Sequence, residues 1–115
     1  MNVAVQDAFN EQIKNELFSG YLYLSRSAHF DRENLPGFTV WMRLQAQKEL
    51  AHAMRLFDYV LQGGGRVELR GIEAPESDFG APLSLFEGVL EHERAVTVMI
   101  HGLFDLSGKA GDWAA

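Results

Sequence analysis

Gln47-Lys48-Glu49-Leu50-Ala51-His52-Ala53 lies in the middle of a segment with helical spacing that runs from Pro36 to about Gly63. Residues three apart on a helix share a face, so Glu49 and His52 offer a carboxylate oxygen and an imidazole nitrogen to the same ion. A Glu-x-x-His pair arises by chance on many solvated helices. Here its surroundings raise its weight. Phe38, Met42, Gln45, Leu56 and Tyr59 recur at helical spacing, and Glu49 and His52 fall on that same seam, where the segment should build a core.

The helix before it is expected from about Val3 to Glu33, with Asn2 as N-cap. Its seam reads Phe9, Ile13, Glu16, Gly20, Tyr23, Ser27 and Phe30, spaced alternately by four and three, and Glu16 interrupts it. Asn34-Leu35-Pro36-Gly37 closes one helix and starts the next, because Pro36 disfavours a helical residue before it and suits a first turn. So short a link makes the two helices antiparallel neighbours. Gly63-Gly64-Gly65 stops the second helix.

From Arg66 to Ala81 the helical period disappears, and Pro75 and Gly80 break the chain. A link this long in a helical protein implies a crossover along the molecule, joining helices that run parallel. The third helix is expected from Pro82 to about Ser107-Gly108, with a seam of Phe86, Val89 or Leu90, Glu93, Val96 or Thr97, Ile100 and Phe104. Asp112, just before Trp113, resembles the N-cap of a further helix that the chain does not supply. The fold class is therefore all-α: one domain over 1–115, with three long helices and one long crossover.

Composition narrows the function. At 115 residues the chain can bury a modest core. It has no cysteine, so a metal must be held by histidine and carboxylates. A formal charge of −6 argues against nucleic acid or an anionic membrane as partner. No apolar run approaches about eighteen residues and no signal pattern opens the chain, so a cytoplasmic location is expected.

Glu16, Glu49 and Glu93 each lie about eleven to thirteen residues into their helices, which at ~1.5 Å per residue puts them at roughly one height. Lys48 and Arg94 stand one residue, roughly 100°, off those seams and are not expected to neutralise them. Buried unpaired carboxylates cost several kcal/mol, and a multivalent cation relieves that cost. Carboxylates with one imidazole suit iron, manganese or zinc. A Glu from each of two helices with Glu-x-x-His from another matches the pattern of di-iron carboxylate bundles. Two plainer readings compete: a solvated Glu49–His52 face, or carboxylates hydrogen-bonded to Tyr23, Gln45 or Thr97 without metal. His29, His92 and His101 are expected at helix ends or on the surface.

Several stretches together resemble the bacterial non-haem ferritins. They are Asn10-Glu11-Gln12-Ile13 through Glu16-Leu17, Tyr21-Leu22-Tyr23-Leu24-Ser25, Leu35-Pro36-Gly37-Phe38, and Gln47 to His52. Further on come Gly63-Gly64-Gly65-Arg66-Val67, Ala81-Pro82-Leu83, and Leu90-Glu91-His92-Glu93 before Val96-Thr97. The resemblance covers the whole chain in order. It implies a ferritin-like bundle in which Glu16 and His52 hold a first iron, Glu49 bridges and Glu93 holds a second. The resemblance also implies that Tyr23 lies close by, hydrogen-bonded to the centre and able to give an electron. The implied activity is ferroxidase chemistry, oxidation of Fe(II) by O2 or peroxide, with iron storage in a homo-oligomer.

Lys48 stands where relatives often carry a further Glu, so a third iron site is not expected. Leu50 stands where bacterioferritins carry a haem-binding Met, so no haem is expected. The fourth helix, with its ligands, and the short fifth are absent from this sequence. The alternative is therefore a catalytically incomplete three-helix ferritin-like interaction module, or a fragment, that binds metal weakly and needs a partner helix. A rubrerythrin-like peroxidase would show a second Glu-x-x-His, and none is present.

Overall fold

The computed structural model describes residues 1–80 and 82–109, with the side chains of 82–86, 104 and 107–109 outside that description. The expected landmarks at Ala81, Asp112 and Trp113, and the side chains of Phe86 and Phe104, therefore lie outside the described residues. Three helices follow in order: α1 (Val3–Arg32), α2 (Pro36–Gln62) and α3 (Pro82–Lys109). The molecule measures 49 × 21 × 20 Å, the proportions of helices lying side by side.

The helix ends follow from local chemistry. Asn2 is extended and its side chain accepts from the N–H groups of Ala4 and Val5, satisfying two donors of the first turn. At the far end of α1, Asn34 takes φ 58°, and Leu35 N–H returns to Phe30 O at 3.0 Å. Asn tolerates that left-handed turn better than most residues, and Leu35 then packs on the cluster containing Phe30. Three glycines close α2 in the same way. Gly64 supplies the left-handed residue at φ 74°, and Gly65 N–H reaches Val60 O at 2.8 Å. A Cβ on Gly65 would stand 3.0 Å from Val60 Cγ1 and 3.1 Å from Val60 O, so a side chain there would push against the end of α2.

The link after α2 has no regular structure up to residue 80 and runs along α1 from one end to the other. Arg66 N–H donates to Gln6, and Asn10 bonds both Arg66 O and Glu68 N–H. Arg70 then bridges Asp7 and Glu11, Ser25 donates to Glu76 O, and Arg32 donates to Ser77 O. The crossover therefore spans the molecule as its length implied. In α3, His92 faces Ser19 and Met99 faces Asn15, so numbers fall on one helix as they rise on the other. α3 is antiparallel to α1 and parallel to α2.

All seven seam residues of α1, from Phe9 to Phe30, are buried. On α2 the buried stripe is Met42, Ala46, Glu49, Ala53 and Val60, a rotation away from the expected one. Phe38 is exposed and Gln45 only half-buried, because small alanines, rather than the bulkier neighbours, face the close approach to α1. On α3, Val89, Val96 and Leu103 are buried, and Leu90 and Thr97 face outward. Apolar side chains form two clusters. One gathers Tyr23, Phe30, Met42, Ala46 and Val89; the other gathers Val5, Phe9, Ile13, Val60 and Leu103. Glu16 and Glu49 occupy the layer between them.

Candidate metal centre

Glu16 on α1 and Glu49 on α2 are both fully buried, and His52 is half-buried one turn beyond Glu49. His52 Nδ1 lies 3.7 Å from Glu16 Oε2 and 3.6 Å from Glu49 Oε2. One ligand atom from each of the three falls within 4.8 Å of the others, the spacing of groups around a single ion. Among the described residues this is the only set of three or more His, Asp or Glu side chains so arranged.

Hydrogen bonding does not account for the cluster. Gln12 Nε2 donates to Glu16 Oε1 at 3.2 Å. Glu16 Oε2, both oxygens of Glu49 and His52 Nδ1 are buried without a hydrogen-bond partner. Native interiors leave few such atoms, and a cluster of four needs a reason. Burial, and then the neighbouring Glu16 and Glu93, push the Glu49 carboxyl up to about 8, with His52 pulling the other way. Without metal the centre is therefore a proton trap. With a dication it becomes a compensated site, since three ligands of this hard and borderline set suit iron or zinc.

Glu93 lies apart from this group. Its Oε1 accepts a hydrogen bond from Tyr23 OH at 2.5 Å, and its Oε2 lies 3.8 Å from Lys48 Nζ. Its side chain is 30 % exposed, so it stands at the edge of the interior. The expectation that no lysine or arginine serves these seams is corrected here. Lys48 starts on the outer flank of α2, and its long stem carries the ammonium across to α3. Burial, and then Glu93, raise the Tyr23 phenol far above its ordinary value.

Further neighbours complete the surroundings. Arg26 is 7 % exposed, and its guanidinium stands 5.2 Å from the centre of the Tyr23 ring and 5.7 Å from that of Phe79. Its Nε and Nη1 have no hydrogen-bond partner, and burial lowers its pKa. His92, expected on the surface, is half-buried; its Nε2 meets Ser19 Oγ at 2.8 Å and its ring meets Tyr23 edge to face. His29 sits in the last turn of α1 but is buried, with Nε2 3.2 Å from Gly80 O. Gln12 was legible in principle, four residues before Glu16 on the same face. Arg26 stands three residues after Tyr23 and seven after Ser19, on the buried face of α1, so its burial was legible from spacing; Lys48 lies off its seam and reaches α3 through its long stem.

A family model of the ferritin-like domain matches residues 6–115 of the chain. The bacterial non-heme ferritin of Bacteroides fragilis (strain 638R) is 41% identical over 110 residues, which cover 96% of this chain and 69% of that relative. The bacterial non-heme ferritin of Staphylococcus aureus (strain USA300) is 30% identical over 108 residues, covering 94% of this chain and 65% of that relative. Among solved structures, an open pore ferritin from the hyperthermophilic archaeon Archaeoglobus fulgidus superposes with a TM-score of 0.95 at 46% identity. That match covers 99% of this chain and 70% of the archaeal one.

Proposed function

The chain belongs to the ferritin-like family, and from that premise we propose that it binds Fe(II) at Glu16, Glu49 and His52 and serves iron oxidation and storage. The observation that carries the reading is the set of four buried, unpartnered ligand atoms in one layer of the bundle. The two carboxylates neutralise a dication, and the imidazole adds a neutral donor that fixes its position.

Oxidation removes one electron from each Fe(II). Two such electrons with two protons from water convert O2 to hydrogen peroxide, and the ferric product passes to the mineral. Where a single Fe(II) meets O2, Tyr23 in this reading supplies the second of the two electrons, becoming a tyrosyl radical whose proton passes to Glu93 and which a later Fe(II) reduces. Glu93 ligates a second ion only by leaving Tyr23 and Lys48.

The same reading makes residues 1–115 one ferritin-like domain, acting in the cytoplasm as part of a homo-oligomer. Among the described residues no helix is long and apolar enough to cross a membrane. Tyr21, Leu24 and Leu50 are about half exposed beside Ile72, and they line an apolar hollow of about 280 Å³ that supports contact with a second copy. A second hollow, of about 620 Å³ and lined by Leu35, Pro36, Gly37, Phe38 and Trp41, favours the interaction-module reading.

Aerobic addition of Fe(II), followed by ferric absorbance, separates the two. Iron uptake and oxidation that Glu16→Gln and His52→Ala abolish support the iron reading. Absence of metal uptake by the folded protein overturns it in favour of the module.

A further inference from the structure

We propose that the centre, as built, takes one multivalent cation at Glu16, Glu49 and His52, and that Lys48 supplies the second positive charge, at Glu93. The inference rests on the iron-binding reading and deepens it, since it fixes how many ions the resting site accepts.

The two halves of the polar layer are in different states. On the α1–α2 side, Glu16 Oε2, both Glu49 oxygens and His52 Nδ1 are buried with nothing bonded to them. On the α3 side, both Glu93 oxygens are engaged, one by the Tyr23 hydroxyl and the other by the Lys48 ammonium at 3.8 Å. Glu93 is also absent from the group whose ligand atoms lie within 4.8 Å of one another. One half awaits a charge and the other already has one.

Charge counting agrees with this asymmetry. Glu16 and Glu49 carry two negative charges when ionised, which one dication cancels. Glu93 carries one, which Lys48 cancels. A second dication at Glu93 would have to displace the ammonium and compete with the Tyr23 hydroxyl. It would also approach the buried Arg26 guanidinium, which already interacts electrostatically with Glu93. Like charges that close in a partly dry site repel strongly.

The covalent spacing of Lys48 and Glu49 makes the arrangement possible. Adjacent helical residues point roughly 100° apart, so Glu49 enters the interior while Lys48 leans along the edge toward α3. The lysine is 49 % exposed and its removal leaves no cavity in the core.

Calorimetric titration of the folded, metal-free protein with Zn(II), a probe without redox chemistry, tests the proposal. The expected result is one equivalent per chain, a stoichiometry that Glu93→Gln leaves at one. Lys48→Gln should open a second binding event about tenfold or more weaker than the first, and Lys48→Gln combined with Glu93→Gln should remove it. Two equivalents in the unaltered chain, the second lost in Glu93→Gln, would overturn the proposal. So would a Lys48→Gln variant that still binds only one. Zero equivalents would instead overturn the iron-binding reading itself, so the two failures are distinguishable.

Discussion

A methyl group placed on Gly20 would stand 3.4 Å from the carbonyl oxygen of Ala46. α1 and α2 therefore run almost backbone to backbone one turn from Glu16 and one turn from Glu49. That approach brings two carboxylates from different helices to one ion's width, and it sets the first prediction. Gly20→Ala fits in ordinary contact and gains helix propensity, up to about 1 kcal/mol. Gly20→Leu cannot fit without parting the helices. Thermal unfolding should show Gly20→Ala neutral or stabilised, and Zn(II) titration should show Gly20→Leu weakened by about tenfold or more. Equal Zn(II) affinity in both variants would mean that the ligand spacing does not depend on this contact.

The second prediction concerns pH. Burial raises the Glu49 carboxyl from 4.5 in the unfolded chain to about 8 in the fold. Between those values the folded state holds a proton that the unfolded state has released. Stability of the metal-free protein should therefore fall as pH rises from about 4.5 through about 8. Glu49→Gln should flatten that slope and raise the melting temperature near the alkaline end. Zn(II) binding at neutral pH should release a proton, measurable as a buffer-dependent enthalpy. A binding enthalpy that is the same in every buffer would show that Glu49 is already ionised.

Arg26 offers a third test. A buried arginine with two unpartnered guanidinium nitrogens is a desolvation cost without full compensation. Arg26→Met keeps most of the volume over Tyr23 and Phe79 and removes the charge. We expect a stabilisation of about 1–3 kcal/mol in chemical unfolding. A loss of more than about 1 kcal/mol would mean that its cation–π contacts and the attraction of Glu93 outweigh the burial cost.

The fourth prediction addresses Tyr23. Among the three tyrosines of the chain, its phenol is held protonated by burial and by the hydrogen bond to Glu93. Alkaline difference spectra of the folded protein should leave one tyrosine un-ionised beyond the ordinary range. In Tyr23→Phe that resistant fraction should vanish, with about 1 kcal/mol of stability lost along with the hydrogen bond. Persistence of the resistant fraction in the variant would assign it to another tyrosine.

Much of the architecture was legible because its signals are local. Asn2, Pro36 and the three glycines each act within a turn of the chain, and the α1 seam repeats every three and four residues. Glu16, Glu49 and His52 could be brought together on paper because helix rise and a short link fix their relative heights. Glu93 lies beside Tyr23 and acts electrostatically on Glu49, in keeping with the shared height read from the helix starts. The spacing did not show that Tyr23 and Lys48 engage its two oxygens, because those contacts depend on where long side chains end. The α2 stripe was misjudged by choosing large apolar residues, when Ala46 and Ala53 face the tight approach because they are small. Lys48 was set aside for a related reason: its position on the helix wheel describes its Cα, while its charge sits a full side chain away.

The placing of the three ligands on α1 and α2 alone also bears on the order of assembly. Those helices are joined by Glu33-Asn34-Leu35, so their contacts require closing only a tight turn. The contacts of α3 with α1 instead join residues 70 to 84 apart in the chain. Closing the longer loop costs more entropy, which favours the α1–α2 hairpin as the earlier structure. On this hypothesis a cation can be captured before α3 docks, and by mass action it then favours the half-formed molecule over the open chain. Zn(II) should accordingly speed refolding as well as slow unfolding, as read from both arms of a chevron plot. A metal effect confined to the unfolding arm would place ligand assembly after the rate-limiting step, and the ion would then be a late guest of a finished bundle.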